Sequence, residues 1–150
     1  LPCQYTNLCA VCQAQLRIMK VRYPKPGIVY KGAIPVAEIA LNTSDKYLTI
    51  LISALLGNAY KFTQEGTISL ECDRLGDDRV FVAVADTGCG IPPEKHGYVF
   101  ERFTKLDPFS QGNGLGLYLC RLIVTHLHGE IYIDSGYTGG TRIVAILPRR

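Results

Sequence analysis

The chain has 150 residues, 47% of them apolar and 19% charged, with a net charge of +3. That length and composition suit one domain, residues 1–150, built on a single substantial core. Charge so nearly balanced, with no Lys/Arg stripe beyond the pair Arg149-Arg150, gives no argument for nucleic acid, and no apolar run reaches the roughly 18 residues of a membrane-spanning helix.

In chain order, Leu8, Val11, Cys12, Gln15, Leu16 and Met19 form a mostly apolar face at helical spacing, closed by the breaker Pro24-Lys25-Pro26-Gly27. Ile28–Lys31 and Val36–Leu41, with Pro35 between them, predict two brief strands or an extended connection. From Asp45, the stripe Leu48, Leu51, Ile52, Leu55, Leu56 and Ala59 predicts a second helix, with Thr43 and Ser44 as capping candidates. Gly66–Arg74 and Arg79–Asp86 alternate as the strands of a hairpin around Gly76-Asp77-Asp78. Thr87–Pro93 is rich in Gly and Pro, and the stretch to Gly114 has no sustained period, which predicts a loop with one short helix. Leu115, Leu119, Leu122 and Ile123 mark a third long helix ending near Gly129, followed by strands Glu130–Ser135 and Thr141–Leu147 around Gly139-Gly140. Two hairpin-like pairs argue against a doubly wound parallel sheet. The expected fold is a two-layer α/β sandwich, a mixed and mostly antiparallel sheet with about three helices on one face.

The six cysteines are scattered through apolar contexts in a chain large enough to fold without staples, and are predicted to be reduced. Cys9-x-x-Cys12 has half-site spacing, but no second pair follows, so both are expected to be small core-facing residues. His126 is expected at the core edge, since it shares a helical angle with Leu115 and Leu119.

Three clusters carry chemistry. On the second helix, Asn58 stands at the border of the buried face, and Lys61 lies three residues on. A neutral oxygen and a cation one turn apart suit magnesium and phosphate, because magnesium keeps most of its waters and Lys pairs with phosphate oxygen. Asp86-Thr87-Gly88-Cys89-Gly90-Ile91 follows a strand, so a carboxylate stands at a strand end, with glycines that let backbone approach a flat ring. Gly112-Asn113-Gly114-Leu115-Gly116-Leu117 precedes the third helix and leaves backbone N–H groups free for an anion. Its spacing fits neither the Walker nor the Rossmann template. Taken singly, the first two clusters read as well as a satisfied Asn with a solvated Lys and as a tight turn capped by Asp.

In this order, Asn58-Ala59-x-Lys61-Phe62-Thr63, Asp86-x-Gly88-x-Gly90-Ile91 and Gly112-x-Gly114-Leu115-Gly116-Leu117 resemble the ATP-binding catalytic domain of bacterial sensor histidine kinases. Val99-Phe100-Glu101-Arg102-Phe103 is similar to the family's phenylalanine box, and Gly139-Gly140-Thr141 to its last glycine box. The resemblance implies the Bergerat ATP-binding sandwich of the gyrase, mismatch-repair and heat-shock chaperone ATPases. It implies ATP and Mg2+ as ligands. Asn58 would hold the metal, Lys61 a phosphate, Asp86 the adenine amino group, and Gly88 and Gly90 the turn facing the purine. It extends the nucleotide site to Phe62, Ile91, Leu115, Leu117 and Thr141, with Arg102 and Lys105 as lid cations and Gly112, Gly114 and Gly116 as lid hinge and phosphate cradle.

The resemblance places no catalytic side chain in this stretch. The phosphoacceptor histidine belongs to a dimerisation domain of the same protein, and a response regulator is the implied downstream partner. A cytoplasmic location without direct membrane contact is expected, with a parent soluble or anchored in the inner membrane, and the start at Leu1 is expected from a boundary inside a longer protein. Ala54 stands where the family often has a second Asn, and Glu130 where His128-Gly129 would be followed by Gly. The competing readings are a degenerate domain that serves as a partner-binding module, and a related ATPase or serine kinase of the same superfamily.

Overall fold

Helices form where apolar residues recur three and four apart, and each buries that side. In the computed structural model, which describes residues 4–97, 99–101 and 116–150, α1 (Leu8–Arg22) buries Leu8, Cys9, Cys12, Leu16 and Met19. The Asn7 carboxamide oxygen caps it by accepting from the Cys9 N–H at 3.1 Å, and it also accepts from the Ile39 N–H at 3.3 Å. α2 (Asp45–Phe62) buries all of its predicted stripe. Of the two capping candidates, Ser44 is the cap, its hydroxyl accepting from the Tyr47 N–H at 3.2 Å.

α3 (Gly116–His126) buries Leu117, Cys120, Ile123 and Val124, which corrects the predicted stripe. Leu119 and Leu122 are 41% and 46% exposed, and Leu115 lies outside the described residues. Apolar residues surround this helix, so spacing alone admits two faces, and packing against α2 selects the one carrying Cys120 and Val124. His126 is correspondingly exposed rather than at the core edge, its ring edge-on to Tyr47 at 5.2 Å. The helix ends in a Schellman motif: the Gly129 N–H donates to the Val124 carbonyl and the His128 N–H to that of Thr125. His128 holds the left-handed position with φ 63°, where glycine is free of strain.

The sheet contains β2 (Ile28–Ala33), β4 (Gly66–Leu75), β5 (Arg79–Asp86), β6 (Glu130–Ile133) and β7 (Thr141–Pro148), in the order β2-β4-β5-β7-β6. β2 and β4 run parallel, and the other neighbours antiparallel. Strand residues alternate, so Ile68, Leu70, Cys72, Val80, Val82, Val84, Ile143, Ala145 and Leu147 join the buried helix residues in one core. A second, two-stranded sheet pairs β1 (Gln4–Asn7) with β3 (Ala40–Thr43). The predicted strand Val36–Leu41 therefore begins later than expected, and Val36 is exposed. The result is the expected two-layer mixed sandwich, with three α-helices among the described residues.

Cys9 and Cys12 are buried in the core. Burial first, then the nearby Cys72 sulfur, pushes the Cys9 thiol up to about 11, and burial pushes Cys120 up to about 12. Such thiols are packing groups rather than nucleophiles. Among the described residues no helix is long and apolar enough to cross a membrane.

Candidate functional site

Pairing of β5 with β7 sets Asp86, the last residue of one strand, opposite Thr141, the first of the other. Asp86 is 4% exposed. Its Oδ1 accepts from the Gly88 N–H at 2.9 Å and from the Thr141 N–H at 3.3 Å. The first bond makes an Asx turn out of the strand end, and the second clamps that turn to β7. Oδ2 accepts nothing from the described residues. Burial pushes the Asp86 carboxyl above the usual carboxylate range, and the two N–H bonds pull it part of the way back.

Two glycines let three backbone segments converge here. A Cβ on Gly88 would collide with the Phe62 carbonyl and stand 2.9 Å from the Thr63 hydroxyl, so the turn lies flat against the end of α2. A Cβ on Gly140, which has φ 154°, would collide with the Asp86 carbonyl. The Tyr137 hydroxyl donates to that same carbonyl at 3.1 Å. Beneath Gly88, the fully buried Thr63 hydroxyl has no hydrogen-bond partner among the described residues. A hydroxyl and a carboxylate oxygen, neither with a partner among the described residues, thus lie at one strand end, where the two glycines let backbone segments pack closely.

Asn58 and Lys61 precede this junction on α2, and from Asn58 to Phe62 the helix rises only about 6 Å. Asn58 is half-buried, and Lys61 is exposed with its Nζ 5.4 Å from the Phe62 ring centre. Phe62 and Ile91 are half-buried, and a Cβ on Gly90, which has φ 75°, would stand 3.4 Å from the Gly140 carbonyl oxygen. Gly116 and Leu117 form the first turn of α3 beside α2. Leu117 turns its side chain into the core, and the first N–H groups of a helix have no intrahelical acceptor. Val99 and Phe100 of the phenylalanine box are buried and Glu101 is exposed. Arg102, Phe103, Lys105, Gly112, Gly114 and Leu115 lie outside the described residues.

The sequence singled out Asp86, Gly88, Gly90, Asn58, Lys61 and Thr141, but not the work of Tyr137 or the orphaned Thr63 hydroxyl. Lys25 was also missed; its Nζ donates to the Thr63 carbonyl at 3.1 Å and sits 4.6 Å from the Tyr60 ring centre. No local pattern announces these groups, because each acts across a long sequence separation.

Residues 43–150 match the family model described as histidine kinase-, DNA gyrase B- and HSP90-like ATPase. The adaptive-response sensory kinase SasA of Gloeothece citriformis is 33% identical over 97% of this chain and 38% of its own length. The mycobacterial sensor histidine kinase MprB superposes with a TM-score of 0.85 at 24% identity, covering 99% of this chain and 98% of that one. ShkA, solved at full length in complex with AMPPNP, gives 0.85 at 24% identity over 99% of this chain and 31% of its own. The chain spans less than half the length of the curated relatives it matches. Matched in sequence over 72% of its length (108 of 150 residues) and in fold over nearly all of it, the chain belongs to the family of histidine kinase-, DNA gyrase B- and HSP90-like ATPases.

Proposed function

We propose that this chain is the nucleotide-binding half of a sensor histidine kinase: it binds Mg-ATP and presents the γ-phosphoryl to a histidine on a dimerisation domain of the parent protein. A response regulator is the next acceptor, and the work takes place in the cytoplasm. The observation that carries the reading is Asp86, a buried carboxylate whose Oδ1 accepts from two backbone N–H groups and whose Oδ2 has no partner among the described residues. Its free oxygen accepts from the adenine amino group, while the orphaned Thr63 hydroxyl supplies a further polar partner at the same edge. The AMPPNP complex of ShkA, a protein of the same fold, supports a nucleotide in this cleft.

Family resemblance and helix geometry support the phosphate side of the proposal. Lys61 pairs with phosphate oxygen as a point charge, and the N–H groups of Gly116 and Leu117 face phosphate from the start of α3. Among the described residues no cluster of three or more His, Cys, Asp or Glu side chains forms a metal cage. Magnesium suits that arrangement, since the Asn58 oxygen would hold it together with the phosphates and a cation that keeps most of its waters needs few protein ligands. When bound, it neutralises charge on the phosphates. Ala54, one turn before Asn58, leaves the metal a single amide from this helix.

What the chain contributes to transfer is position and charge, which is most of what phosphoryl transfer asks of a protein. The test supplies a dimerisation domain from a relative or the parent in trans, with ATP labelled at the γ position. The expected result is an acid-labile, alkali-stable phosphate on the added domain, dependent on this chain. Binding of ATP without any such transfer to the parent's own dimerisation domain contradicts the kinase reading and favours a partner-binding role.

A further inference from the structure

The loop 134–140 joins β6 to β7 and ends where Thr141 stands opposite Asp86. Its start is fixed by hydrogen bonds. Asp134 Oδ1 accepts from the Gly136 N–H at 3.0 Å, and the Tyr137 N–H donates to the Asp134 carbonyl at 3.2 Å, so residues 134–137 form a closed turn. Asp134 Oδ2 pairs with Arg142 at 2.9 Å, and the same guanidinium reaches Glu71 of β4 at 3.0 Å. Pairs this exposed contribute little to stability, but two carboxylates on one planar guanidinium orient the turn against the sheet. The end of the loop is fixed by Gly140, whose backbone lies against the Asp86 carbonyl.

Tyr137, between these two anchors, reaches back to the same residue. Its hydroxyl donates to the Asp86 carbonyl at 3.1 Å. Tyr137 is only half-buried, and a phenol at such a depth can satisfy its hydroxyl with water, so burial alone does not demand this bond. The aim of the Asp86 carboxylate does depend on it. Of the two N–H groups on Oδ1, that of Thr141 stands at 3.3 Å, beyond the usual range, and constrains direction weakly. Where Oδ2 points is therefore set largely by the Asp86 backbone, which the hydroxyl holds from the loop side.

We propose that Tyr137 is a positioning residue for base recognition: through the Asp86 carbonyl, its hydroxyl aims Oδ2 at the exocyclic amine of a purine and so sets the preference for a base that carries one. The inference rests on the nucleotide reading above, and it places Tyr137 behind Asp86 rather than against the ligand.

The test is calorimetric titration of the wild-type chain and of Tyr137→Phe with Mg-ATP and, separately, with the magnesium complex of purine riboside triphosphate, which lacks the 6-amino group. The wild type is expected to prefer ATP, because a site that hydrogen-bonds an N–H rejects the analogue without it. Tyr137→Phe is expected to cut that preference about fivefold, the value of one hydrogen bond, by weakening ATP while leaving the analogue nearly unchanged. A tyrosine that merely supports the loop weakens both ligands alike. An undiminished preference, equal weakening of the two ligands, or a variant that does not fold overturns the inference and leaves the nucleotide reading standing. A wild type that binds the two ligands equally removes the adenine assignment, and this inference with it.

Discussion

Asp86 is where buried charge and function conflict most directly. Its folded carboxyl lies above the ordinary range because burial outweighs two N–H bonds. A raised folded value means the native state holds its proton more tightly, so this contribution to stability is full below the unfolded value and is lost as pH rises through the folded one. Asp86→Asn keeps an acceptor for Gly88 and Thr141 and removes that loss. Melting curves across pH should show the variant gaining on the wild type from the ordinary carboxylate range upward, and remaining more stable at neutral pH. Its nucleotide affinity should fall on the order of tenfold through loss of a charge-assisted bond. Unchanged affinity in the folded variant contradicts the adenine assignment. Asp86 was legible in the sequence because its strand, acid and glycines are consecutive. Tyr137, 51 residues away, and Thr63, beneath Gly88, were not, because sheet register and the end of α2 create their roles.

At the scale of the element, α2 carries both stability and the proposed phosphate side of the site, and its glycine separates the two. Gly57 is exposed within the helix, and a Cβ there meets nothing within 4 Å. Gly57→Ala should stabilise the chain by about 1 kcal/mol, raising Tm by about 2–4 °C. Gly88→Ala, by contrast, drives a Cβ into the Phe62 carbonyl and should cost about 2 kcal/mol or more. Thermal denaturation of the two variants side by side checks both signs. The α2 stripe could be read from sequence because its polar face is distinct. α3 could not, since Leu117, Leu119, Leu122 and Val124 offer competing faces and only packing on α2 chooses. β1 escaped notice for a similar reason: Gln4–Asn7 is short and mostly polar, and pairs with β3 across the whole of α1 and β2.

The whole molecule brings the ends of β5, β7 and α2 together by antiparallel register and two glycine contacts. The layer architecture was legible because hairpin chemistry and helical period agree along most of the chain. This junction was legible only through the order of the glycine clusters, since three remote segments build it. The central claim is that the site proposed there binds ATP with magnesium. It is tested most directly by calorimetric titration of the chain with a non-hydrolysable ATP analogue, with and without magnesium. Saturable single-site binding that magnesium strengthens is the predicted result. No binding at millimolar nucleotide by a folded chain would contradict it.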